Sequence, residues 1–429
     1  MLRQIFKNSK RLEAFLWALN LNLYAPQRRH ITNIMDALLV CEEKKSLSAL
    51  HRQLVNPPSD VYAVCDCFRD SPWEGAYLRQ QAQPYLVHQL VTQAEAQGEE
   101  RVIYLSGDDS LTEKDKATQH LEAVDWHVDH QASTKKKKVY KKGLVHVHLH
   151  MAIGAVEAAV DWRLYMRERT IRRLNRKRAS GKRLTFRSKY HLLRTMLLDL
   201  APRLPQGYKV YVLFDSWYAS AKLIKLCKRL GFEVICAVKS NRTLDGIQLR
   251  DLARTLRHQP YEHIVKTADQ EKKKKPPTYL VRSVEGRINE VPDDVCVLIS
   301  KRHYRDTHPV YFLSTDVSLT AQEVMDGYAH RWACEVDNLY LNTHLGLGDF
   351  RVQSVEATEK WYAVVFLALA YLQLRLVEEK SDEILTLADV IRKHRAEHAQ
   401  TVFRAACQMA QKRRHLKTVM KHFFYQAAS

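Results

Sequence analysis

The sequence predicts an α/β chain whose core is interrupted by a β-rich insertion and flanked by helical regions at both ends. Three observations predict this. Apolar residues recur at three-to-four spacing up to about residue 98; strand and helix patterns alternate from 101 to 240; and the texture after Thr320 is helical throughout. At 429 residues the chain is long for one domain, and a hydrophobic share of 46% supplies material for a core. That composition excludes a disordered chain, a collagen-like repeat and a disulfide miniprotein. The 68 Lys plus Arg against 48 Asp plus Glu leave a net charge of +20, a surplus that points to a polyanionic partner, usually nucleic acid.

Residues 1–98 form the first helical unit, with breaks at Pro26, Pro57-Pro58 and Pro72. Ser46–Leu54 and Val61–Phe68 read as two short helices about the turn NPPSD, with Asp60 as N-cap of the second. A helix-turn-helix that reads a DNA groove has this pattern, and so has a plain three-helix bundle. From 101 the pattern changes: RVIYLS ends at GDDS, and LVHVHLHMAIGAVEAAVDWRLYM gives two strands bending near Gly154. KVYVLF then runs into DSWY, followed by a helix (ASAKLIKLCKRLG) and the strand FEVICAVK. Residues 99–240 are thus the first part of the core, and the short strand-like runs of 241–318 are the insertion. Residues 319–376 return to the core and 377–429 form a helical tail. WYAVVFLALAYL, at 361–372, is shorter than the ~20 residues of a membrane span and reads as a buried helix. The N-terminus lacks the apolar run and cleavage site of a secretion signal. The eight cysteines, without a C-x-x-C pair, read as reduced thiols, so a cytoplasmic protein without membrane contact is expected.

Three basic runs, Lys135–Lys142, Arg167–Lys189 and Lys272–Lys275, are solvated loops taken singly and together a surface that tracks phosphates. Asp108 (or its neighbour Asp109) and Asp215 stand at strand ends, where side chains point into the crevice of an α/β sheet. Along 321–347 the spacing predicts one helix on which Tyr328, Arg331, Glu335 and Asn342 form a polar stripe. Trp332 and Leu339 border that stripe and predict that it packs against the protein. An Arg331–Glu335 ion pair is the plain reading of the spacing. His146, His148 and His150 share one face of a strand. They could ligate zinc in a hydrolase, line the polar side of an edge strand, or lie against DNA.

Tyr328-x2-Arg331-x3-Glu335, with D-x-S at Asp108–Ser110, DSWY at Asp215–Tyr218 and KSNR at Lys239–Arg242, resembles the insertion-sequence DDE transposases, specifically their insertion-sequence-four-like group. The phrases LGLGDFRVQS at 345–354 and RDSPW at 69–73 extend the likeness over residues 10–375. The resemblance implies an RNase H-like core with the first Asp on its first strand and the second on its fourth. It implies Asp108, Asp215 and Glu335 as catalytic ligands of Mg²⁺, with Mn²⁺ as a substitute, for cutting the ends of a mobile element and joining them to target DNA. Hard oxygen ligands in small number suit such an ion. Tyr328, Arg331, Asn342 and Lys239 would contact double-stranded DNA, and Trp217 or Trp332 would stack on a base. Asn342 departs from the family's Lys, which opens the alternative of a domesticated copy that binds without cutting. Bringing two ends together implies a homodimer on DNA, in a prokaryotic cytoplasm.

Overall fold

The computed structural model describes residues 2–129, 132–134, 136–272, 274–291, 293–412 and 414–424. Five helices open the chain: α1 Lys10–Ala18, α2 Ala25–Val40, α3 Leu47–Arg52, α4 Val61–Arg69 and α5 Gly75–Ala96. Asp60 caps α4 as expected, accepting the Ala63 N–H at 2.9 Å. The core follows with β1 Val102–Glu113, β2 Asp125–Asp129, β3 Val139–Ile153, β4 Val156–Tyr165, α6 Glu168–Asn175, α7 Lys189–Leu200, β5 Lys209–Phe214, α8 Ala221–Arg229 and β6 Glu233–Val238. The expected bend is present, with Gly154 at φ +54° between β3 and β4. Then come β7 Thr243–Leu244, β8 Ile247–Gln248, α9 Leu249–Thr255, β9 Glu262–Val265, α10 Thr267–Lys272, β10 Thr278–Gly286, β11 Val295–Lys301 and β12 Val310–Ser314. The chain ends in α11 Ala321–Ala329, α12 Trp332–Thr343, α13 Val355–Glu379, α14 Leu387–Gln411 and α15 Leu416–Phe423.

The sheet is mixed. β3 carries β4 and the short β2 on one edge and β1 on the other, all antiparallel, whereas β1, β5 and β6 are parallel. The order β4-β3-β1-β5-β6 is consistent with an RNase H-like core. With the short edge strand β2 set aside, Asp108 lies on the first strand and Asp215 directly follows the fourth. Strands β12, β11, β10 and β9 continue this sheet beyond β6, all antiparallel. Residues 241–318 therefore extend the core edge to edge.

Helix α13 is the centre of the assembly. It is buried along nearly its whole length and packs on α2, α4, α5, α12, α14 and β4. It is long and apolar enough to cross a membrane, yet 83% of its apolar window is covered by protein, in agreement with the buried helix read from the sequence. Contact with α5 is close enough that a Cβ on Gly75 would lie 2.4 Å from the Glu359 carbonyl oxygen, so only glycine fits.

Four local expectations are corrected. β1 does not end at GDDS: pairing with β3 continues to Glu113↔Gly143, because a long partner strand outweighs the turn preference of Gly-Asp-Asp. The run at 136–142 is not all loop, since Val139–Lys142 open β3 and pair with Trp126–Asp129 of β2; Lys135 and Lys273 lie outside the described residues. The helix expected over 321–347 breaks at His330–Arg331 into α11 and α12 and ends at Thr343. Around the break the N–H groups of residues 330, 331, 333 and 334 bond three residues back, the tighter 3₁₀ pattern. That turn resets the helical phase. Ala333, Cys334, Asp337 and Leu341 face the sheet, while Glu335, Asn342, Trp332 (65% exposed) and Leu339 (55% exposed) face solvent, so this part of the stripe is not packed away.

Candidate active site

Strand β5 pairs with β1 only from Val102 to Ser106 and then ends, while β3 holds β1 straight for seven more residues. Beyond Ser106 the β5-side edge of β1 opens into a crevice. Asp108 stands on that edge and Asp215 follows the last residue of β5. Side chains alternate along a strand, so the two aspartates of GDDS part company. Asp108 shares a face with its cross-strand partner His148, toward α12; Asp109 faces α7. Gly107 lies over α7, where a Cβ would meet Leu193 Cδ1 at 2.6 Å.

Arg331 links the third carboxylate to the first. One of its guanidinium nitrogens is 2.8 Å from Asp108 Oδ2 and 3.6 Å from Glu335 Oε1. The ion pair read from the helical spacing is therefore present, with Asp108 as its closer member. Burial pushes the Asp108 carboxyl up to about 7; Asp109 and Asp215 push the same way, against Arg331 and the Asp109 N–H. This is a concentration of negative charge around one cation, a donor set of hard oxygens that fits a divalent metal. Glu335 is the open member, with 45% of its side chain exposed. Asp215 accepts the N–H groups of Trp217 (2.9 Å) and Tyr218 (3.2 Å), which shapes the DSWY turn.

The residues expected to bind DNA surround this crevice unevenly. Trp217 is partly exposed and stacks on Tyr190 at 4.5 Å, which leaves it half engaged. Lys239 is exposed at the carboxyl end of β6, beside the end of β5. Tyr328 is packed against Phe312 at 4.8 Å, with Arg331 5.8 Å over its ring, so it supports Arg331 from beneath. Trp332 is open to solvent on the first turn of α12. Asn342 lies at the far end of α12, its amide donating to Asn338 O at 2.8 Å. It borders a cavity of about 710 Å³ lined by Lys44, Lys114 and Arg351 and equally by Glu113, Asp115 and Asp349.

Two groups of residues have roles here that the sequence does not announce. Asp109 accepts the Tyr218 hydroxyl at 2.8 Å and pairs with Lys189 at 2.5 Å, tying the Asp215 turn and the start of α7 to β1. Strand alternation beside Asp108 is the available signal for Asp109. Lys189 is hidden in a basic run that reads only as charge. The second group is Asp337. His150 Nδ1 lies 2.7 Å and His148 Nε2 3.7 Å from Asp337 Oδ2, Gln373 donates to its other oxygen at 2.6 Å, and His146 Nε2 meets Asn338 Oδ1 at 3.2 Å. The three histidines are fully buried under α12 and α13, on a strand with neighbours on both edges, so the edge-strand and DNA-facing readings are corrected. Burial works against a charged His150, but Asp337, with Glu157 adding to it, raises the ring to about 10, whereas burial lowers His146 to about 4 and His148 to about 3. The ladder is one charged histidine and two neutral ones in a polar core, and it fastens α12 to the sheet.

A further cluster has metal-like spacing. Asp36 of α2 and His394 and His398 of α14 bring ligand atoms within 4.8 Å of one another. Arg375, which can only donate, is 3.1 Å from His394 Nδ1. His394 therefore carries its proton on Nε2 and donates it to Asp36 Oδ1 at 2.7 Å, with His398 at 2.8 Å from the same oxygen. This is a hydrogen-bonded clasp between the first and last helical regions.

Comparison with known families agrees with this architecture. The family described as DDE superfamily endonuclease matches residues 20–277, and that described as Transposase DDE domain matches residues 187–371. The first span contains Asp108 and Asp215 and the second Asp215 and Glu335. No curated protein matches the chain.

Proposed function

Because the chain belongs to the DDE superfamily endonucleases, matched over more than half its length, we propose that it is a transposase that cuts double-stranded DNA at the ends of its own mobile element and joins them to a target. The observation that carries this reading is the meeting of Asp108 and Glu335 on one guanidinium, with Asp215 beside them at the end of β5. Asp108, Asp215 and Glu335 would hold Mg²⁺, or Mn²⁺ in its place. When bound, such ions lower the pKa of an attacking water and stabilise the leaving oxygen of a phosphodiester.

The chain's own groups do the rest. Arg331 stands between two of the carboxylates and offsets part of their charge. Its guanidinium, with the Tyr328 ring 5.8 Å beneath it, would hold the phosphate beside the cut. Trp217 and Trp332 offer aromatic faces to a displaced base, and Lys239 a charge to the backbone. Lys44 and Arg351 line the cavity beside Asn342, together with Glu113, Asp115 and Asp349, and are the cations nearest to the place of the charge that Asn342 lacks. Under this reading 1–98 recognises DNA, 241–318 is an insertion between the second and third ligands, and two copies act together on paired ends in a prokaryotic cytoplasm.

The test is incubation with DNA carrying the inverted repeats that flank the gene, in Mg²⁺ or Mn²⁺. Breaks at the repeat tips that require the metal are expected; tight binding with no break in either metal would overturn the reading. The same assay checks Asp109. Tyr218→Phe removes one of its two partners, so it is expected to lower stability by about 1 kcal/mol and to raise the metal concentration needed for half-maximal cutting. An unchanged metal titration would show that the Asp215 turn is held without that bond.

A further inference from the structure

A cleft of about 340 Å³ lies between α7 and α8, lined by Tyr190, His191, Arg194, Ser220, Lys222, Leu223, Lys225 and Arg229. His191 and Arg194 stand three residues apart on α7. Lys222, Lys225 and Arg229 stand three and four apart on α8. Such spacings put each set along one ridge of its helix. Each of these five side chains is exposed, and no acidic residue lines the cleft. By contrast Lys228, on the same helix, is turned to Glu233 at 2.8 Å. The cleft shares a wall with the candidate active site: Tyr190 lines it and also stacks on Trp217, donating its hydroxyl to the Trp217 carbonyl within the turn that Asp215 shapes.

We propose that this cleft is the track for the DNA backbone flanking the cut, gripping successive phosphates of one strand as it leaves the Asp215 turn. The α8 row from Lys222 to Arg229 covers roughly 10 Å, the axial run of about three nucleotides at ~3.4 Å each. Facing cations on two helices suit a polyanionic strand lying between them, and the long flexible stems tolerate any base sequence. The proposal rests on the DNA-cutting reading and adds to it a direction: DNA passes the Trp217–Tyr190 stack on its way out of the site.

The test measures binding of a labelled duplex, extending on both sides of the repeat tip, against KCl concentration and in EDTA, so that cutting plays no part. R194Q/K222Q/K225Q is expected to bind about tenfold or more weakly and to reduce the magnitude of the salt slope by about two to three, at ~0.9 for each phosphate no longer neutralised. R250Q/R254Q/R257Q, which removes the same charge from exposed positions on and after α9, and K228Q are expected to bind like wild type. Trimming the duplex from one of its two ends should bring wild type down to the level of the cleft variant. Equal slopes for cleft variant and wild type, or an equal loss in the α9 triple, would overturn the track. Cutting of a short repeat-tip duplex is followed in parallel: metal-dependent breaks with an unchanged salt slope would sink the track alone, whereas no breaks even by wild type would sink the reading on which it rests.

Discussion

Asp215→Asn and Glu335→Ala are each expected to reduce metal-dependent breaks at the repeat tip by about a thousandfold, the ~4 kcal/mol of charge stabilisation that a lost metal ligand removes. Both changes are chosen to spare the fold. The amide introduced by Asp215→Asn keeps an oxygen to accept the Trp217 and Tyr218 N–H groups, and Glu335 is nearly half exposed, with Arg331 no closer than 3.6 Å. Binding of repeat DNA in EDTA should therefore stay close to wild type, and unfolding midpoints should not move. Loss of binding in parallel with cutting would mean that these carboxylates serve the structure instead. Cutting that survives Glu335→Ala would place the third ligand elsewhere on α12 or outside it.

The second large effect is expected at Asp337. Its carboxylate is buried between His150, His148 and Gln373, and His150 is held as a cation by it. Asp337→Ala leaves that buried charge with only the half-exposed Glu157, 3.6 Å from His150 Nε2, which costs about 3 kcal/mol. The pH dependence identifies the cause. His150 has a folded pKa of about 10, above its unfolded value near 6.5, so its contribution is complete below pH 6.5 and is lost as pH rises toward 10. His146 and His148 are lowered to about 4 and 3, so their contribution is present above pH 6.5 and lost as pH falls through that range. Denaturant unfolding of Asp337→Ala should show the alkaline slope flattened and the acid slope retained. An alkaline slope equal to wild type would mean that His150 is neutral in the folded chain.

Asp337 also shows where reading the sequence stops. The strands around Asp108 and Asp215 are legible because alternation and apolar runs are local signals, and Asp215 closes KVYVLF as directly as Asp60 opens α4. The pairing of Arg331 with Glu335 follows from helical spacing. The break at His330–Arg331 carries no proline and no adjacent glycine, and it arises where α11 and α12 each settle on different parts of the sheet. With the phase reset, the face predicted to be covered became the open one, and Asp337, two residues from Glu335, became the buried anchor. The histidine ladder is written plainly as VHVHLH, but its surroundings come from α12 and α13, nearly two hundred residues and more away in the chain. No local pattern says whether such a face meets solvent, metal or protein.

Helix α13 touches the N-terminal helices, the central sheet and the C-terminal helices at once, and the Asp36–His394–His398 clasp closes the same circuit from the other side. If residues 1–98 read DNA, as proposed, these contacts would tie the reading helices to the sheet that carries Asp108 and Asp215. The separation between the bases recognised and the bond broken would then be a property of the scaffold, as fixed as the gap of a calliper. An element moved by such an enzyme would have to keep that spacing in its own ends, and inserting or deleting a base pair between recognised sequence and tip would rotate the scissile bond out of reach.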